Sequence, residues 1–364
     1  MSFELPPYPY DLLNPYRMIA NDHPGGVVDL SVGTPCDPPP PEVVDALAQS
    51  GSERSYPQSV GSYPYLESCL QWMKRLFDVD LDVETNIAAC IGTKEFVVSA
   101  PGYLRLLKPD KDTVLYPAVS YPSYAMGAHL SGCRAVPVPV NEHWQPQLSD
   151  IAQSDIERAL MIWVNSPSNP TGVLNNLDPI ADWGREHQIP VFSDECYAEF
   201  TWADKPRTIL SKGTEGVVAV HSLSKRSNLA GLRAGFYAGD VELVRWFKEI
   251  RKHAGKMVPG PVQAAATVAY SDDAHVVEQR SKYRQRLLFL QSCFDSMGIS
   301  TVFPEGSFYL WIDSGSQNPW ELVDHFASKV GVLVTPGSFF GSPRHVRVAA
   351  VQPLETLDLI TKRI

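Results

Sequence analysis

Ala159–Asn165 reads ALMIWVN, Pro190–Glu195 reads PVFSDE and Val217–Leu223 reads VVAVHSL. Each is a short, nearly continuous apolar run, the pattern of a strand buried on both faces. Between the first two lies a helical stretch, DPIADWGREHQ at Asp178–Gln188. Working outward, the alternation repeats. Asn86–Ile91 (NIAACI) reads as a strand and Thr93–Leu107 (TKEFVVSAPGYLRLL) as a helix. Asp112–Pro117 (DTVLYP) is a strand, Pro122–Gly132 (PSYAMGAHLSG) a helix, and Cys133–Val140 (CRAVPVPV) a strand. Ala234–Gly239 (AGFYAG) completes the set. Strands alternating with helices predict an α/β fold with a mainly parallel sheet covered by helices.

The pattern changes after Asp240–His253, DVELVRWFKEIRKH. A long helical stretch covers Asp272–Met297. Then come FYLWID, a helix around Pro319–Lys329, VLVTPG and HVRVAAV, which suggest a smaller α+β domain with its own sheet. Upstream, the proline-rich stretch Pro35–Pro41 reads as an extended linker, with Pro41 suited to the first turn of a short helix. Leu66, Leu70, Met73 and Phe77 recur at helical spacing. The expected division is an N-terminal arm with part of the small domain (1–44), a large domain (45–280) and a small C-terminal domain (281–364).

Composition narrows the function classes. The chain has 364 residues, 44% hydrophobic and 20% charged, which suits a globular protein rather than a disordered one. Its formal net charge of −10 argues against a general nucleic-acid or membrane-surface binder, which needs a basic face. The six cysteines, Cys36, Cys69, Cys90, Cys133, Cys196 and Cys293, are scattered without a CxxC pair and read as reduced core residues. The opening MSFELPPYPYD lacks a basic region followed by an apolar one, and no apolar run reaches membrane-spanning length. The expected compartment is the cytoplasm. No metal site is expected: His253 has no second ligand at metal spacing beside it.

In open α/β sheets, ligands bind beyond the carboxyl ends of the strands. Polar residues collect there. Gly92-Thr93-Lys94 opens a helix, whose free N–H groups can hold a phosphate, although a capped glycine turn looks the same. SPSNPTG follows the ALMIWVN strand, and Asn169-Pro170 alone could be a simple turn. Asp194 ends an apolar strand, where a carboxylate needs a partner, structural or functional. Ser224-Lys225-Arg226 follows VVAVHSL, and a lysine at a buried strand end can act as a nucleophile once its pKa is lowered. Their occurrence together, in this order, favours the functional readings.

The combination GTK, SNPTG, SDECY, SLSKRSNLAGLRAG and HVRVA resembles the class I/II aminotransferases of pyridoxal 5'-phosphate (PLP) fold type I, over nearly the whole chain. The resemblance implies that Lys225 would hold PLP as a Schiff base, the internal aldimine, and move the substrate proton. Asp194 would pair with the pyridine nitrogen, with Asn169 and Tyr197 on the ring hydroxyl. Tyr121 would stack on the ring. Thr93, Lys94, Ser222, Ser224 and Arg233 would hold the phosphate, and Tyr56 would reach it from a second subunit of a homodimer with composite sites. Gly33, Asn169 and Arg347 would contact the amino or 2-oxo acid substrate, Arg347 gripping its α-carboxylate. The family's two half-reactions imply ping-pong kinetics.

Two longer runs, HSLSKRSNLAGLRAGF and RKHAGKMVPGPVQAA, are similar to N-succinyl-diaminopimelate aminotransferases of lysine biosynthesis, which take glutamate as donor and return 2-oxoglutarate. Aspartate or another dicarboxylic amino acid is the alternative substrate. Arg226, Arg251 and Lys256 are candidates for a distal substrate carboxylate. A PLP-dependent lyase and a non-catalytic PLP-sensing module are the competing functions. The sequence contains no GxGxxG, Walker A, GxSxG or HExxH pattern.

Overall fold

A computed structural model describes residues 6–315 and 318–364 of the chain. Residues 1–5, part of the opening stretch considered above for a leader, and residues 316–317 lie outside the described residues. The chain divides into two compact units. One comprises Asp37–Ser281 with Glu305–Ser307; the other comprises Met1–Cys36, Lys282–Pro304 and Phe308–Ile364.

In chain order the strands are β1 (Val28–Asp29), β2 (Ile87–Cys90), β3 (Thr113–Pro117), β4 (Arg134–Val138), β5 (Ala159–Asn165) and β6 (Val191–Asp194). They continue with β7 (Val217–Ser222), β8 (Gly235–Gly239), β9 (Tyr309–Asp313), β10 (Val332–Leu333), β11 (Thr335–Pro336) and β12 (His345–Ala349).

The first unit is built on a sheet of order β2-β8-β7-β6-β5-β3-β4. β3 through β7 pair in parallel, while β8 runs antiparallel to both its neighbours, β7 and β2. The middle of β5 explains the apolar run in the sequence. Ile162 and Val164 enter the core on one face, and Leu160 and Trp163 enter the core on the other. A strand covered on both faces has no polar positions to alternate.

Helix Gly260–Ser271 is not among the elements expected from the sequence. Its Ala265, Ala266 and Ala269 are buried, with Val262 and Tyr270 beside them. Small apolar residues around much of its circumference leave no 3.6-residue periodicity to read.

In the second unit β12 lies between β11 and β9, antiparallel to both, and β1 pairs in parallel with β10. The run VLVTPG therefore serves two sheets, divided at Val334. Among the described residues, no helix is long and apolar enough to cross a membrane.

Candidate active site

Because β2 and β7 are both antiparallel to β8, they run parallel to each other. The carboxyl ends of β2, β3, β5, β6 and β7 thus share one edge of the large sheet. Reversal of β8 brings the residues just before it, including Arg233, to that same edge.

One corner of this edge is built for an anion. Gly92 caps the Thr93–Leu107 helix with φ +84°, and a Cβ there would lie 2.1 Å from Arg233 Nη2. Only glycine tolerates both the left-handed backbone and the guanidinium resting on it. Arg233 is itself left-handed, φ 55°, and its Nη1 donates to the Ala230 carbonyl at 2.8 Å. Ser222 caps the turn Leu223–Arg226, accepting from the Ser224 backbone N–H at 3.1 Å, and the two serine hydroxyl oxygens lie 2.9 Å apart. Helix-start N–H groups, two hydroxyls and a guanidinium make a donor set suited to a phosphate.

Asp194 ends β6 and is buried. Its Oδ1 accepts from the Cys196 backbone N–H at 3.2 Å and its Oδ2 from Tyr124 Oη at 3.2 Å. Burial still raises the carboxyl above the usual carboxylate range, against the opposing hydrogen bonds and the His221 side chain. A buried carboxylate in this state favours a cationic partner such as a protonated ring nitrogen. Tyr121, from the loop after β3, stands edge-on to Tyr124 with ring centroids 5.9 Å apart.

Asn165, the last residue of β5, ties the neighbouring loop down. Its Nδ2 donates to the Asp194 carbonyl and its Oδ1 accepts from the Asn169 N–H, both at 2.7 Å. The Asn169–Pro170 bond is cis, as is Ser166–Pro167. Tyr197 is buried just beyond Asp194.

Lys225 sits in the Leu223–Arg226 turn, close enough for its charge to act on the Cys196 thiol. That thiol donates to Thr93 Oγ1 at 3.3 Å; burial, with Asp194 adding, holds it well above its ordinary pKa, so it remains protonated. Contacts across long sequence separations thus gather Thr93, Tyr121, Asn169, Asp194, Lys225 and Arg233 along one edge. Tyr56 belongs to the same unit but is 96% exposed. The residues fit PLP: an anion corner, a buried carboxylate for the ring nitrogen, and an amine for the aldehyde.

In the other unit Arg347 on β12 is 2% exposed. Its guanidinium lies 4.3 Å from the Tyr309 ring centroid and 4.5 Å from that of Phe340. Nη2 donates to the Ser31 carbonyl at 2.6 Å and to Tyr10 Oη at 3.2 Å. Held between two rings, the cation is fixed in orientation. A Cβ on Gly33 would lie 1.9 Å from Tyr309 Oη, so glycine is required there for close approach.

Tyr124 and Asn165 are site residues that the sequence reading does not single out. Asn165 left a signal, as the one polar residue ending ALMIWVN. Tyr124 left none, because its acceptor lies 70 residues away.

Two candidates for a distal carboxylate are otherwise engaged. Arg226 is buried, with Nε 2.7 Å from Glu199 Oε2 and Nη2 2.8 Å from Asp273 Oδ1. Arg251 is buried in a two-point pair with Glu95, at 3.0 and 2.7 Å. The sequence displays charge but not the carboxylates that meet it. Lys256, half-buried, lies 3.7 Å from Glu95 Oε1.

A family model described as aminotransferase class I and II matches residues 25–364. The chain belongs to that family. It is a PLP-dependent aminotransferase, with amino and 2-oxo acids as its substrates. It is 37% identical to the 4-dedimethylamino-4-oxo-anhydrotetracycline transaminase OxyQ of Streptomyces rimosus, over 99% of each chain. It is 32% identical to the LL-diaminopimelate aminotransferase of Aquifex aeolicus, covering 99% of this chain and 96% of that one. The solved structure of a probable N-succinyldiaminopimelate aminotransferase from Thermus thermophilus matches with a TM-score of 0.88 at 26% identity, covering 98% of this aminotransferase and all of that chain. That neighbour shares the aminotransferase fold type I architecture expected from the sequence.

Proposed function

We propose that this aminotransferase exchanges an amino group for an oxo group between the glutamate/2-oxoglutarate pair and the pair formed by N-succinyl-diaminopimelate and its 2-oxo acid, in lysine biosynthesis. The buried Arg347, sandwiched by Tyr309 and Phe340, carries the reading that the substrate is an α-amino acid. Its planar fork suits a carboxylate, and its contacts with the Tyr309 and Phe340 rings hold the guanidinium itself in one orientation. The two runs HSLSKRSNLAGLRAGF and RKHAGKMVPGPVQAA support the diaminopimelate skeleton, as do the names of the Aquifex and Thermus proteins.

Each residue has a part. Lys225 Nζ anchors the cofactor and carries the proton leaving the substrate Cα. Asp194 would keep a proton on the cofactor's ring nitrogen, and Asn169 and Tyr197 would hydrogen-bond its ring oxygen. Tyr121 would cover a face of the ring. Thr93, Lys94, Ser222, Ser224 and Arg233 would hold the phosphate, joined by Tyr56 of a second copy in a homodimer. Gly33 keeps the backbone beside the substrate free of a side chain. PLP, when bound, supplies a ring that accepts the electron pair released at Cα. We place the enzyme in the cytoplasm.

The similarity to OxyQ over its full length favours a second reading, in which the amino acceptor is a polycyclic ketone. A panel with glutamate as donor separates the two. The expected result is a kcat/KM for the succinylated keto acid at least about tenfold above those for oxaloacetate, unacylated diaminopimelate partners and tetracyclic ketones. A preference for any of the others overturns the proposal.

A further inference from the structure

The anion corner has a charge problem within its own helix. Glu95 is the third residue of the Thr93–Leu107 helix, and among that helix's first-turn residues it is the acidic one. A carboxylate there is usually welcome, because it faces the positive end of the helix dipole. At a helix start that receives a phosphate, the same charge opposes the ligand.

The structure draws Glu95 away from that role. Arg251, from helix Val241–His253, donates Nη1 to Oε1 at 3.0 Å and Nη2 to Oε2 at 2.7 Å. Ser99 Oγ donates to Oε1 at 2.8 Å, and Lys256 Nζ stands 3.7 Å from the same oxygen. Arg251 is locked in place, its guanidinium 5.5 Å from the Phe96 ring and 5.9 Å from the Tyr237 ring. Burial on its own would raise the Glu95 pKa; the Arg251 bonds and charge overcome this and keep it below its ordinary value, so the carboxylate stays ionised. Two cations therefore surround one anion. The Cys90 thiol, beside the corner at the end of β2, experiences Arg251, Glu95 and Arg233 together, which puts all three charges in one neighbourhood.

We propose that Arg251 is a positioning residue for the cofactor phosphate: by clamping and neutralising Glu95 it lets the start of the Thr93–Leu107 helix accept a dianion. This rests on the reading of Thr93, Lys94 and Arg233 as the phosphate site. It also gives Arg251 a part different from the distal-carboxylate role considered from sequence. An ion pair that merely bolts two helices together would act on the fold without regard to the ligand's charge. A charge-balancing pair acts on the phosphate alone.

The test compares binding of PLP with binding of pyridoxal, which lacks the phosphate, to the apo form of the full chain, by equilibrium dialysis. R251M removes the two-point clamp and leaves Glu95 with only Lys256, 3.7 Å away, to offset its charge; it should weaken PLP about tenfold while changing pyridoxal little. The neutral pair E95Q/R251M should restore PLP affinity to within about threefold of the unmodified protein. Equal losses for both ligands in R251M, or no recovery in the double variant, overturns the proposal. Near-ultraviolet circular dichroism and melting temperature show which variants fold. If R251M does not fold, E95Q decides: tighter PLP with unchanged pyridoxal supports charge balance, and weaker or unaltered PLP refutes it. If PLP binds the unmodified protein no better than pyridoxal does, the phosphate-site reading itself fails, which is a separate outcome.

Discussion

Tyr124 Oη donates a hydrogen bond of 3.2 Å to Asp194 Oδ2 from a wholly buried position. The phenol ring is pinned by stacking on Trp163, with centroids 5.4 Å apart and planes at 16°. Burial raises the Tyr124 pKa well above that of free tyrosine, so the hydroxyl remains a donor. Tyr124→Phe keeps the ring and removes only that donor. Hydrogen bonds to charged groups contribute about 1.5–3 kcal/mol, so the first half-reaction should slow about tenfold or more. The visible spectrum of the PLP-loaded protein should also shift in its pH dependence, because Asp194 becomes harder to keep ionised. Unchanged rates and spectra in a folded Tyr124→Phe protein would show that the contact has no bearing on Asp194.

Lys225 is expected to be the single covalent anchor. Borohydride reduction of the PLP-loaded protein, followed by peptide mapping, should label Lys225. Lys225→Ala should lose multiple turnover while still binding PLP through the phosphate and ring contacts. A label on Lys94, Lys256 or any other lysine refutes the assignment.

The strand ends were legible because β5 is apolar up to Asn165, and β6 and β7 are apolar until they finish in Ser193-Asp194 and His221-Ser222. Buried faces force the apolar run, and the ligand edge permits the polar residue that ends it. Pairing direction was not legible. Nothing in AGFYAG distinguishes the reversed β8 from its parallel neighbours, since direction is set by the connections around it. Long-range polar pairing was equally hidden. In sequence, Arg226 and Arg251 look no different from Arg347, the arginine proposed to grip the substrate. What separates them is the carboxylate each meets: Glu199 and Asp273 for Arg226, and Glu95 for Arg251. Arg347 instead is flanked by rings and backbone oxygen.

That contrast leads to the substrate prediction. Arg347→Ala should lower kcat/KM for every amino acid substrate by roughly 10²–10⁴, the loss of two charge-assisted hydrogen bonds. Arg347→Lys should rescue poorly, since an ammonium cannot reproduce the planar fork or the ring stacking. Steady-state kinetics over several donors is the check. A loss confined to one substrate would instead mark Arg347 as a side-chain selector.

Tyr56, 96% exposed, has no packing reason to be aromatic within the single chain. If it completes the site of a second copy, Tyr56→Phe and Lys225→Ala protomers should complement each other. After unfolding and refolding an equimolar mixture, about a quarter of the sites carry neither substitution. Activity should exceed the sum of the separate variants accordingly. Sedimentation showing an active monomer at assay concentration would eliminate the composite site.

Asp194 yields a stability prediction of definite sign. Burial is the largest influence on it and raises its folded-state pKa above the ordinary 3.8. A carboxyl group with a raised folded pKa stabilises the fold fully when protonated, below the unfolded value. That contribution is lost as pH rises through the folded value, because the native state must then hold a desolvated charge. The apo protein at about pH 8 therefore carries a destabilising carboxylate that Asp194→Asn removes. Apo Asp194→Asn should melt above the unmodified protein there, and the gap should narrow as pH falls toward 3.8. Loading with PLP should reverse the order, since the ionised carboxylate then has its cationic partner and the amide does not. Calorimetry of both proteins, apo and loaded, across pH measures all of this. An apo Asp194→Asn protein that melts lower at every pH would mean that Tyr124 and the Cys196 N–H already satisfy the charge, leaving Asp194 with no strain for the cofactor to relieve.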